Sequence, residues 1–253
     1  MTQKTLLLLD IGNTAVTYGH YHGGRLSKFG SCSHDNIPKL MALWLKKGVN
    51  VSFEIIIGSV VPKITQTCIQ TARRHGGLAV WVAGRNLLIP INHKYRSLKQ
   101  LGADRQVNLY GALQIYQPPF LVLDVGTAIT ADYVSAKGVF EGGMIIPGPE
   151  TAFHALLNRT ALLPKALRFP TSPEAFLGRD TAGCLRSGIL QGYGSMLEEL
   201  IQRFRHHYGR RLRVIATGGL AKTLKPLVPT LGTVDPQLTL KGLLLAYKQR
   251  PKR

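Results

Sequence analysis

Acidic residues are scarce in this chain. Its 253 residues include 13 Asp and Glu against 32 Lys and Arg, which gives a formal net charge of +19. Such a charge attracts anionic partners, among them nucleotides, nucleic acid and anionic membrane surfaces, and a basic surface also keeps a protein soluble. The basic residues are spread along the chain, and no zinc-finger or RNA-binding aromatic signature accompanies them. The sequence therefore disfavours specific recognition of nucleic acid.

Cysteine and long apolar runs are scarce too. The three cysteines, Cys32, Cys68 and Cys184, form no CxxC pair, and the eight histidines show no metal-ligand spacing. This pattern disfavours a disulfide framework or a zinc site and favours a reducing cytoplasm, with the histidines in structural roles. No stretch approaches the roughly 18 consecutive apolar residues of a membrane-spanning helix, so we expect no membrane partner.

The chain has ample material for a hydrophobic core. Hydrophobic residues make up 45% of the sequence, and predicted strands alternate with predicted helices, which is typical of an α/β protein. We expect two lobes, residues 1–117 and 118–253, divided at Pro118-Pro119. The pattern predicts strands at 5–10, 53–61, 78–83, 120–125, 129–134, 140–146 and 213–216. It predicts helices at 37–47, 63–75, 103–115, 150–157, 180–206 and 238–247, with a connecting segment at 84–100.

One phrase occurs twice, once in each expected lobe. The run Thr5–Thr14 reads TLLLLDIGNT, and Phe120–Thr130 reads FLVLDVGTAIT. Each copy is an apolar strand followed by Asp, an apolar residue, Gly and a small polar residue, and the copies are too far apart for a short-period repeat protein. The pattern places a carboxylate and accessible backbone N–H groups at the end of a buried strand. Such an arrangement can bind phosphate and its metal ion.

Each copy also has a plainer interpretation. The first can be a β-turn in which Asp10 and Asn13 satisfy local backbone groups. In the second, Asp124 follows a buried strand and needs a partner, which can be a cation, a backbone amide or an arginine. Thr127 and Thr130 supply hydroxyl groups beside it. The presence of two copies favours phosphate binding over the plainer interpretations.

Two common nucleotide-binding motifs are missing from the sequence. No Walker GxxxxGK[ST] loop occurs, and no GxGxxG follows a predicted strand, which disfavours a P-loop or Rossmann enzyme. Six other motifs occur in order along the chain: Asp10–Thr14 (DIGNT), Gly102–Arg105 (GADR), Asp124–Thr130 (DVGTAIT), Gly142–Gly148 (GGMIIPG), Asp180-Thr181 with Ser187-Gly188, and Thr217–Gly219 (TGG). Each motif alone is weak, but the ordered set is specific.

This ordered set closely resembles type III pantothenate kinase, and the resemblance runs from residue 5 to about residue 243. It implies the fold of the sugar kinase and actin superfamily, with two similar α/β, ribonuclease H-like lobes (the actin-like ATPase fold) and a nucleotide cleft between them. The implied activity is ATP-dependent phosphorylation of pantothenate at its 4′-hydroxyl, the first step of coenzyme A biosynthesis. A homodimer with the pantothenate site at the subunit interface is implied as well.

The resemblance assigns the nucleotide and its cations to both lobes. The first phosphate motif would hold the ATP phosphates, with Mg²⁺ beside Asp10, and comprises Asp10, Ile11, Gly12, Asn13, Thr14, Ala15, Val16 and Thr17. In the second lobe, Asp124 would bind a monovalent cation, K⁺ or ammonium, and Thr127 would contact ATP. Thr217–Gly219 would lie near the adenosine.

The resemblance also assigns the acceptor site. Asp104 would be the catalytic base, and pantothenate would contact Tyr95, Gly102, Ala103, Asp104, Arg105 and Thr181. A local surface ion pair between Asp104 and Arg105, and a purely capping role for Asp180-Thr181, are the alternatives that the residues leave open. The chain departs from the family pattern where Arg96-Ser97-Leu98 follows the tyrosine and where GRDT occupies 178–181. These departures leave the shape of the pantothenate pocket open.

Two further functions compete with this one. A non-catalytic accessory protein of the same fold would bind nucleic acid through its basic surface, and a related kinase would act on another small hydroxylated acid. Retention of Asp10, Asp104 and Asp124 favours an enzyme, because a pure binding protein has little use for all three carboxylates. The net charge of +19 is not explained by the resemblance.

Overall fold

The computed structural model describes residues 5–46, 53–75, 79–173 and 175–251. The strands are β1 (Thr5–Ile11), β2 (Val16–His22), β3 (Arg25–Cys32), β4 (Phe53–Ser59), β5 (Ala79–Val82), β6 (Asn92–His93), β7 (Phe120–Val125), β8 (Ala128–Val134), β9 (Val139–Pro147), β10 (Arg213–Thr217) and β11 (Thr233–Val234). The α-helices are α1 (Ile37–Lys46), α2 (Pro62–Arg74), α3 (Ala103–Ile115), α4 (Pro149–Arg159), α5 (Thr181–Tyr208), α6 (Ala221–Leu224) and α7 (Leu238–Gln249). Short 3-10 helices span His34–Asn36, Leu98–Gln100, Lys225–Leu227 and Pro229–Leu231.

The chain forms two compact units. The first comprises Met1–Tyr116 and Gln237–Arg253, and the second comprises Gln117–Pro236. The division at 116–117 falls beside the proline pair that suggested a boundary. From the sequence we expected residues 118–253 to form the second lobe, whereas residues 237–253 lie with the first unit.

Helix α7 is the reason that the chain returns to the first unit. It packs against α3, β1 and β4 and buries eight of its twelve residues. Its contact with α3 is close, because a Cβ atom on Gly111 would lie 2.9 Å from the Cα of Gly242. At its C-terminal end, the Arg250 guanidinium lies 3.4 Å from the ring centre of Tyr247 and 4.6 Å from that of Trp81. The C-terminal end of α7 is thereby fixed to the first sheet.

The sheet of the first unit has the strand order β3-β2-β1-β4-β5. Strands β1, β2 and β3 are antiparallel neighbours, while β4 and β5 continue from β1 in parallel. One face of β1 and β4 packs against residues of α1 and α2, and the other packs against α7. Coverage on both faces explains why the leucines of β1 and the isoleucines of β4 form unbroken apolar runs rather than an alternating pattern.

The strands of the second unit repeat this arrangement. They lie in the order β11-β10-β7-β8-β9, with β7, β8 and β9 antiparallel and with β10 and β11 parallel to β7. Read from its antiparallel edge, each sheet therefore has the same order and the same strand directions. Helix α5 covers one face of the second sheet through Leu190, Leu197 and Ile201. The two phrases that repeat in the sequence are the central strands β1 and β7.

Several predicted elements differ from the observed ones at their ends. The strand expected at 53–61 ends at Ser59, because Pro62 begins α2 and Val61 is its N-cap. Strand β3 was not predicted, since its residues are mostly polar and it forms the exposed edge of the sheet. The predicted helix end at 47, the predicted strand start at 78 and the last two residues of the basic tail lie outside the described residues. Among the described residues, no helix combines the length and the apolar character needed to cross a membrane.

Candidate active site

The turn after β1 carries the first phosphate motif. Asp10 is the penultimate residue of β1 and is half-buried, whereas Asn13 and Thr14 at the tip of the turn are exposed. The backbone N–H of Gly12 donates to the carbonyl of Ala15 at 3.1 Å. The turn therefore has a fixed backbone and presents polar side chains outward, as binding of phosphate requires.

Two neighbours brace this turn from outside the motif. The N–H of Val60, just after β4, donates to the Ile11 carbonyl at 3.1 Å. The Nε2 of His34 lies 2.9 Å from the carbonyl oxygen of Gly12, and it must be the donor, because a carbonyl only accepts. Sequence reasoning placed His34 among the structural histidines and missed its contact with the phosphate motif. No local signal could have found it, since the contact joins residues 22 positions apart.

Asp104 lies in the first turn of α3. Its Oδ1 accepts a hydrogen bond from the backbone N–H of Arg105 at 2.8 Å, and the side chain is half-buried. A carboxylate in the first turn of a helix interacts favourably with the helix dipole. The Nε2 of Gln106 donates to the carbonyls of Leu98 and Leu101, at 3.2 and 2.7 Å, and so ties the preceding turn to the helix.

Arg105 is a buried residue, with 5% of its surface exposed. The alternative of an exposed surface pair with Asp104 therefore does not describe it. Its guanidinium carbon lies 5.8 Å from the ring centre of Tyr95, so the structure brings together two residues that the sequence assigned to the pantothenate site. The carbonyl of Tyr95 lies 3.0 Å from the Nδ1 of His93, which helps to fix this segment.

The DIGNT turn and the start of α3 both lie at the carboxyl ends of strands β1 and β4 in the first sheet. A Cβ built on Gly102 would lie 4.0 Å from Cγ1 of Val60, the residue whose N–H holds Ile11. The carboxyl ends of β1 and β4 thus lie beside the residues that carry Asp104. The structure brings the phosphate motif and the expected base to the same part of this unit.

In the second unit, Asp124 and the TGG motif are in contact. Asp124 is the penultimate residue of β7 and pairs with Thr217 of the parallel strand β10. Gly218 has a φ of +89°, and a Cβ on it would lie 2.5 Å from Oδ1 of Asp124 and 2.6 Å from backbone atoms of Val125. Only glycine fits this position.

A buried hydroxyl lies across the strand from Asp124. Thr130 of β8 is the partner of Asp124 in the antiparallel pair, so the two side chains share one face of the sheet. The Oγ1 atom of Thr130 is buried and has no hydrogen-bond partner among the described residues. A buried hydroxyl without a hydrogen-bond partner is unfavourable, and a bound ion or water molecule can supply the missing partner.

Helix α4 begins against the turn that contains Thr127. The Gly148 N–H donates to the Thr127 carbonyl at 2.9 Å, and the Thr151 hydroxyl donates to the same oxygen at 2.7 Å. Gly148, the last residue of the GGMIIPG motif, therefore holds the second phosphate motif in place. Sequence reasoning gave the order of these motifs but did not predict this contact.

A cavity of about 620 Å³ opens beside the TGG motif in the second unit. Its walls include Gly219 and Leu220, the start of α4 and the segment 165–171. This volume lies within the range of small-molecule sites. The sequence did not identify the segment 165–171 as part of a site, because it forms no helix or strand and carries no periodic signal.

Thr181 is the first residue of α5 and is exposed. The cap of this helix is Asp180, whose Oδ1 accepts from the Gly183 N–H at 2.7 Å. Asp180 therefore caps the helix, and the Thr181 hydroxyl takes no part in the cap. The separation of these roles leaves the assignment of Thr181 to the acceptor site as a prediction.

The residues present fit a divalent ion that arrives with a nucleotide. Within the described residues, no group of three or more His, Cys, Asp or Glu could hold a metal by itself. Mg²⁺ in nucleotide sites needs only one or two carboxylates together with the phosphates. Asp10, half-buried beside an exposed polar turn, meets that requirement.

Comparison with known families identifies the chain. The family model described as type III pantothenate kinase matches residues 6–203. The chain belongs to the type III pantothenate kinase family. Membership makes it a kinase that uses a nucleotide and a divalent metal, as the carboxylate-bearing turns suggest.

Solved structures show that the fold is shared much more widely. A Campylobacter jejuni protein described as a Baf family transcriptional activator is 19% identical with a TM-score of 0.60, over 96% of this chain and 98% of that one. A Sinorhizobium meliloti protein described as a 2-dehydro-3-deoxygalactonokinase is 13% identical with a TM-score of 0.56, over 96% and 98%. MreB5 of Spiroplasma citri bound to AMPPNP is 10% identical with a TM-score of 0.51, over 97% and 96%. The expected actin-like ATPase and sugar kinase fold is confirmed, while the expected cleft between the lobes stays a prediction.

Proposed function

We propose that this kinase transfers the γ-phosphoryl group of ATP to the 4′-hydroxyl of pantothenate and so begins coenzyme A biosynthesis. The observation that carries the proposal is the family match over residues 6–203. It is supported by the position of Asp104 on a well-anchored helix beside the DIGNT turn. The substrate, the site roles and the assembly described below are parts of this proposal.

Asp104 is the general base of the proposed reaction. The 4′-oxygen of pantothenate attacks the γ-phosphorus, the bond from that phosphorus to the β,γ-bridging oxygen breaks, and the hydroxyl proton passes to the Asp104 carboxylate. Phosphoryl transfer depends mainly on positioning and charge neutralisation. A positioned base typically contributes about 10²–10⁴-fold to the rate.

Pantothenate binds, in this proposal, next to Asp104. The residues that would contact it are Tyr95, Gly102, Ala103, Arg105 and Thr181. Pantothenate is a carboxylate, and the buried guanidinium of Arg105 beside the ring of Tyr95 is suited to an anionic group. The segment Arg96-Ser97-Leu98, where the chain departs from the family, leads into the turn that Gln106 holds.

The ATP phosphates are assigned to the Asp10–Thr17 turn. Exposed Asn13 and Thr14 and the backbone of the turn would bind phosphate oxygens. Asp10 would hold Mg²⁺ directly or through water, and the ion would neutralise phosphate charge when bound. Thr127 would contact ATP from the second unit, and the cavity beside Gly219 would take the adenosine.

A monovalent cation, K⁺ or ammonium, is assigned to Asp124. The Asp124 carboxylate would be its charged ligand. The buried Thr130 hydroxyl, which has no hydrogen-bond partner among the described residues, would be a further oxygen ligand. Gly218 supports this assignment, because its lack of a side chain leaves room beside Oδ1 of Asp124.

The proposal also includes a homodimer in the cytoplasm. Four large apolar side chains of the second unit are strongly exposed, namely Ile145 (66%), Leu162 (96%), Phe176 (73%) and Leu177 (73%). Contiguous apolar patches mark protein–protein interfaces, and sedimentation equilibrium would test whether a second copy covers these side chains. All three cysteines are free, as a reducing compartment requires.

A second candidate function is nucleic-acid binding by a non-catalytic protein of this fold. The observation that favours it is a basic segment from the end of α5 to the start of β10, which contains Arg203, Arg205, His206, His207, Arg210, Arg211 and Arg213 and no acidic residue. Filter binding against salt concentration tests it, since binding to phosphates weakens steeply as salt rises. Tight, salt-sensitive binding together with no ADP release would favour this candidate over the kinase.

The deciding experiment measures ADP release with and without pantothenate. We expect release that requires pantothenate, that other small hydroxy acids do not support, and that falls when Na⁺ replaces K⁺. Asp104→Asn should lower turnover strongly while ATP affinity stays nearly unchanged. Unchanged turnover in that variant would remove Asp104 from its role, and a preference for another hydroxy acid would reassign the substrate.

A further inference from the structure

A second cavity, in the first unit, lies outside the proposed active site. Its volume is about 410 Å³, and its walls are Ile69, Arg73, Val80, Val82, Arg85 and Asn86. Ile69 and Arg73 belong to α2, the two valines belong to β5, and Arg85 and Asn86 belong to the turn that follows β5. None of these residues belongs to the six ordered motifs of the sequence.

The cavity has an apolar floor and a positively charged rim. Ile69, Val80 and Val82 are partly or fully buried and pack against the core of the first unit. The side chains of Arg73 and Arg85 are exposed. Among the described residues, neither guanidinium has a carboxylate or a hydrogen-bond partner. Two unpaired cations over apolar side chains favour a ligand with an anionic group and an apolar body.

Both arginines are attached to fixed backbone. Arg85 lies in a tight turn in which the N–H groups of Arg85 and Asn86 donate to the Val82 carbonyl, at 3.0 and 3.2 Å. Arg73 lies in the last turn of α2, where a basic side chain commonly satisfies the helix carbonyls. Here the side chain of His75 does so instead, with its Nδ1 2.9 Å from the Thr71 carbonyl oxygen, and its backbone N–H donates to the Ala72 carbonyl at 3.2 Å. The guanidinium of Arg73 is therefore not needed to end the helix.

The edge of the sheet at this cavity is closed to another strand. Strand β5 is the last strand of its sheet, so its outer backbone groups could pair with a peptide. The Asn86 side chain occupies two of them: its Oδ1 accepts from the Val82 N–H at 2.6 Å, and its Nδ2 donates to the Val80 carbonyl at 2.9 Å. This closure and the small volume favour a small molecule over a polypeptide partner.

We propose that this cavity binds a small phosphate monoester whose organic part is apolar. Two guanidinium groups, with no acidic residue among the cavity walls, match the two negative charges of a phosphate monoester better than the single charge of a carboxylate. The three apolar side chains of the floor receive the organic part. This site is separate in sequence from the residues proposed for catalysis, and the inference does not rest on the proposed kinase activity.

The test uses the full-length protein with phenyl phosphate as the probe. Methyl NMR of Ile69, Val80 and Val82 reports both the location of binding and the dissociation constant. We expect ring-induced shifts of these methyl groups, and weaker binding of inorganic phosphate and of benzoate. Arg73→Gln and Arg85→Gln should each weaken the binding of phenyl phosphate by about tenfold or more, since each removes a charge-assisted contact.

Arg74→Gln is the matched control, because Arg74 is the neighbouring exposed arginine of α2 and does not line the cavity. It should leave the dissociation constant unchanged. An equal loss in all three variants would assign the effect to the general positive charge and overturn the proposal. Absence of methyl shifts into the millimolar range, or benzoate binding as tight as that of phenyl phosphate, would overturn it as well. Turnover in the kinase assay should be unaffected by any of these variants, so a failure of this proposal is distinguishable from a failure of the proposed function.

Discussion

Replacing Gly218 by alanine tests the contact between the TGG motif and Asp124. Gly218 has a φ of +89°, which an L-residue adopts only with strain. Its new Cβ would lie 2.5 Å from Oδ1 of Asp124 and 2.6 Å from backbone atoms of Val125, so either the turn or the carboxylate must move. The backbone of β7 is held in the sheet on both sides, so we expect the Asp124 side chain and the turn to be displaced.

The expected loss of stability has two parts. The left-handed conformation costs alanine about 1–2 kcal/mol relative to glycine, and the steric overlap costs about 1–3 kcal/mol. Together they should lower the free energy of unfolding by about 2–5 kcal/mol. For a protein of this size, each kcal/mol lowers Tm by about 2–4 °C, which gives a decrease of about 4–20 °C.

Thermal unfolding followed by circular dichroism measures this decrease. Gly219→Ala is the control for stability, because a Cβ at Gly219 meets nothing within 4 Å. The same scans in KCl and in NaCl test the proposed cation site. K⁺ should raise Tm of the unmodified protein, because a ligand stabilises the folded state that binds it. It should not raise Tm of Gly218→Ala, because the displaced Asp124 no longer binds the ion. Equal Tm values for the two alanine variants would refute the argument from close approach. An undiminished K⁺ effect in Gly218→Ala would refute the cation site beside Asp124.

Three further predictions concern the first unit. Thr239→Val removes the hydroxyl that donates to the buried side chain of Asn108 at 2.8 Å, and urea titration should show that the free energy of unfolding falls by about 1–3 kcal/mol. Thr239→Ser keeps the hydroxyl and should avoid most of this loss. His34→Ala removes the donor to the Gly12 carbonyl and should raise KM for ATP more than it lowers kcat. His34→Gln, which keeps a donor, should restore part of the ATP affinity. A change in kcat alone would contradict a positioning role for His34. Burial raises the pKa of Cys68 to about 12, so its thiol stays protonated in the folded protein. The stability that the buried neutral thiol contributes is fully present below about pH 9 and is lost as pH rises from about 9 towards 12. At about pH 8 a thiol reagent should therefore modify Cys68 only after unfolding, and rapid labelling of the native protein would contradict its burial.

The strand-closing carboxylates were predictable because their signal is local. An apolar run that ends in Asp and Gly marks a buried strand and its turn without any knowledge of distant residues. Asp10 and Asp124 accordingly occupy the predicted positions at the ends of β1 and β7. The same holds for Asp104, since the helix at 103–115 has the bounds that the sequence predicted.

Contacts between distant segments were not predictable in this way. His34 reaches Gly12, Thr239 reaches Asn108, and the segment 165–171 reaches Gly219, and in each case the partner lies beyond any local pattern. The position of α7 shows the same limit. Its sequence predicts a helix that is buried on most sides, but periodicity does not tell which sheet the helix covers.

The strand order of the two sheets explains how one repeated phrase can serve two purposes. Asp10 and Asp124 are the penultimate residues of equivalent central strands, and each lies opposite a threonine of the next antiparallel strand, Thr17 or Thr130. Their surroundings differ on the parallel side. The turn after β1 is braced by a histidine and presents polar side chains to solvent, whereas Asp124 lies under Gly218. An exposed polar turn suits phosphates and the hydrated divalent ion that accompanies them, while a carboxylate beside a buried hydroxyl that has no partner in the described part of the chain would suit a weakly hydrated monovalent ion. Both carboxylates are half-buried, so the proposed difference in their cation preference would come from the elements beside each strand end and not from the repeated phrase.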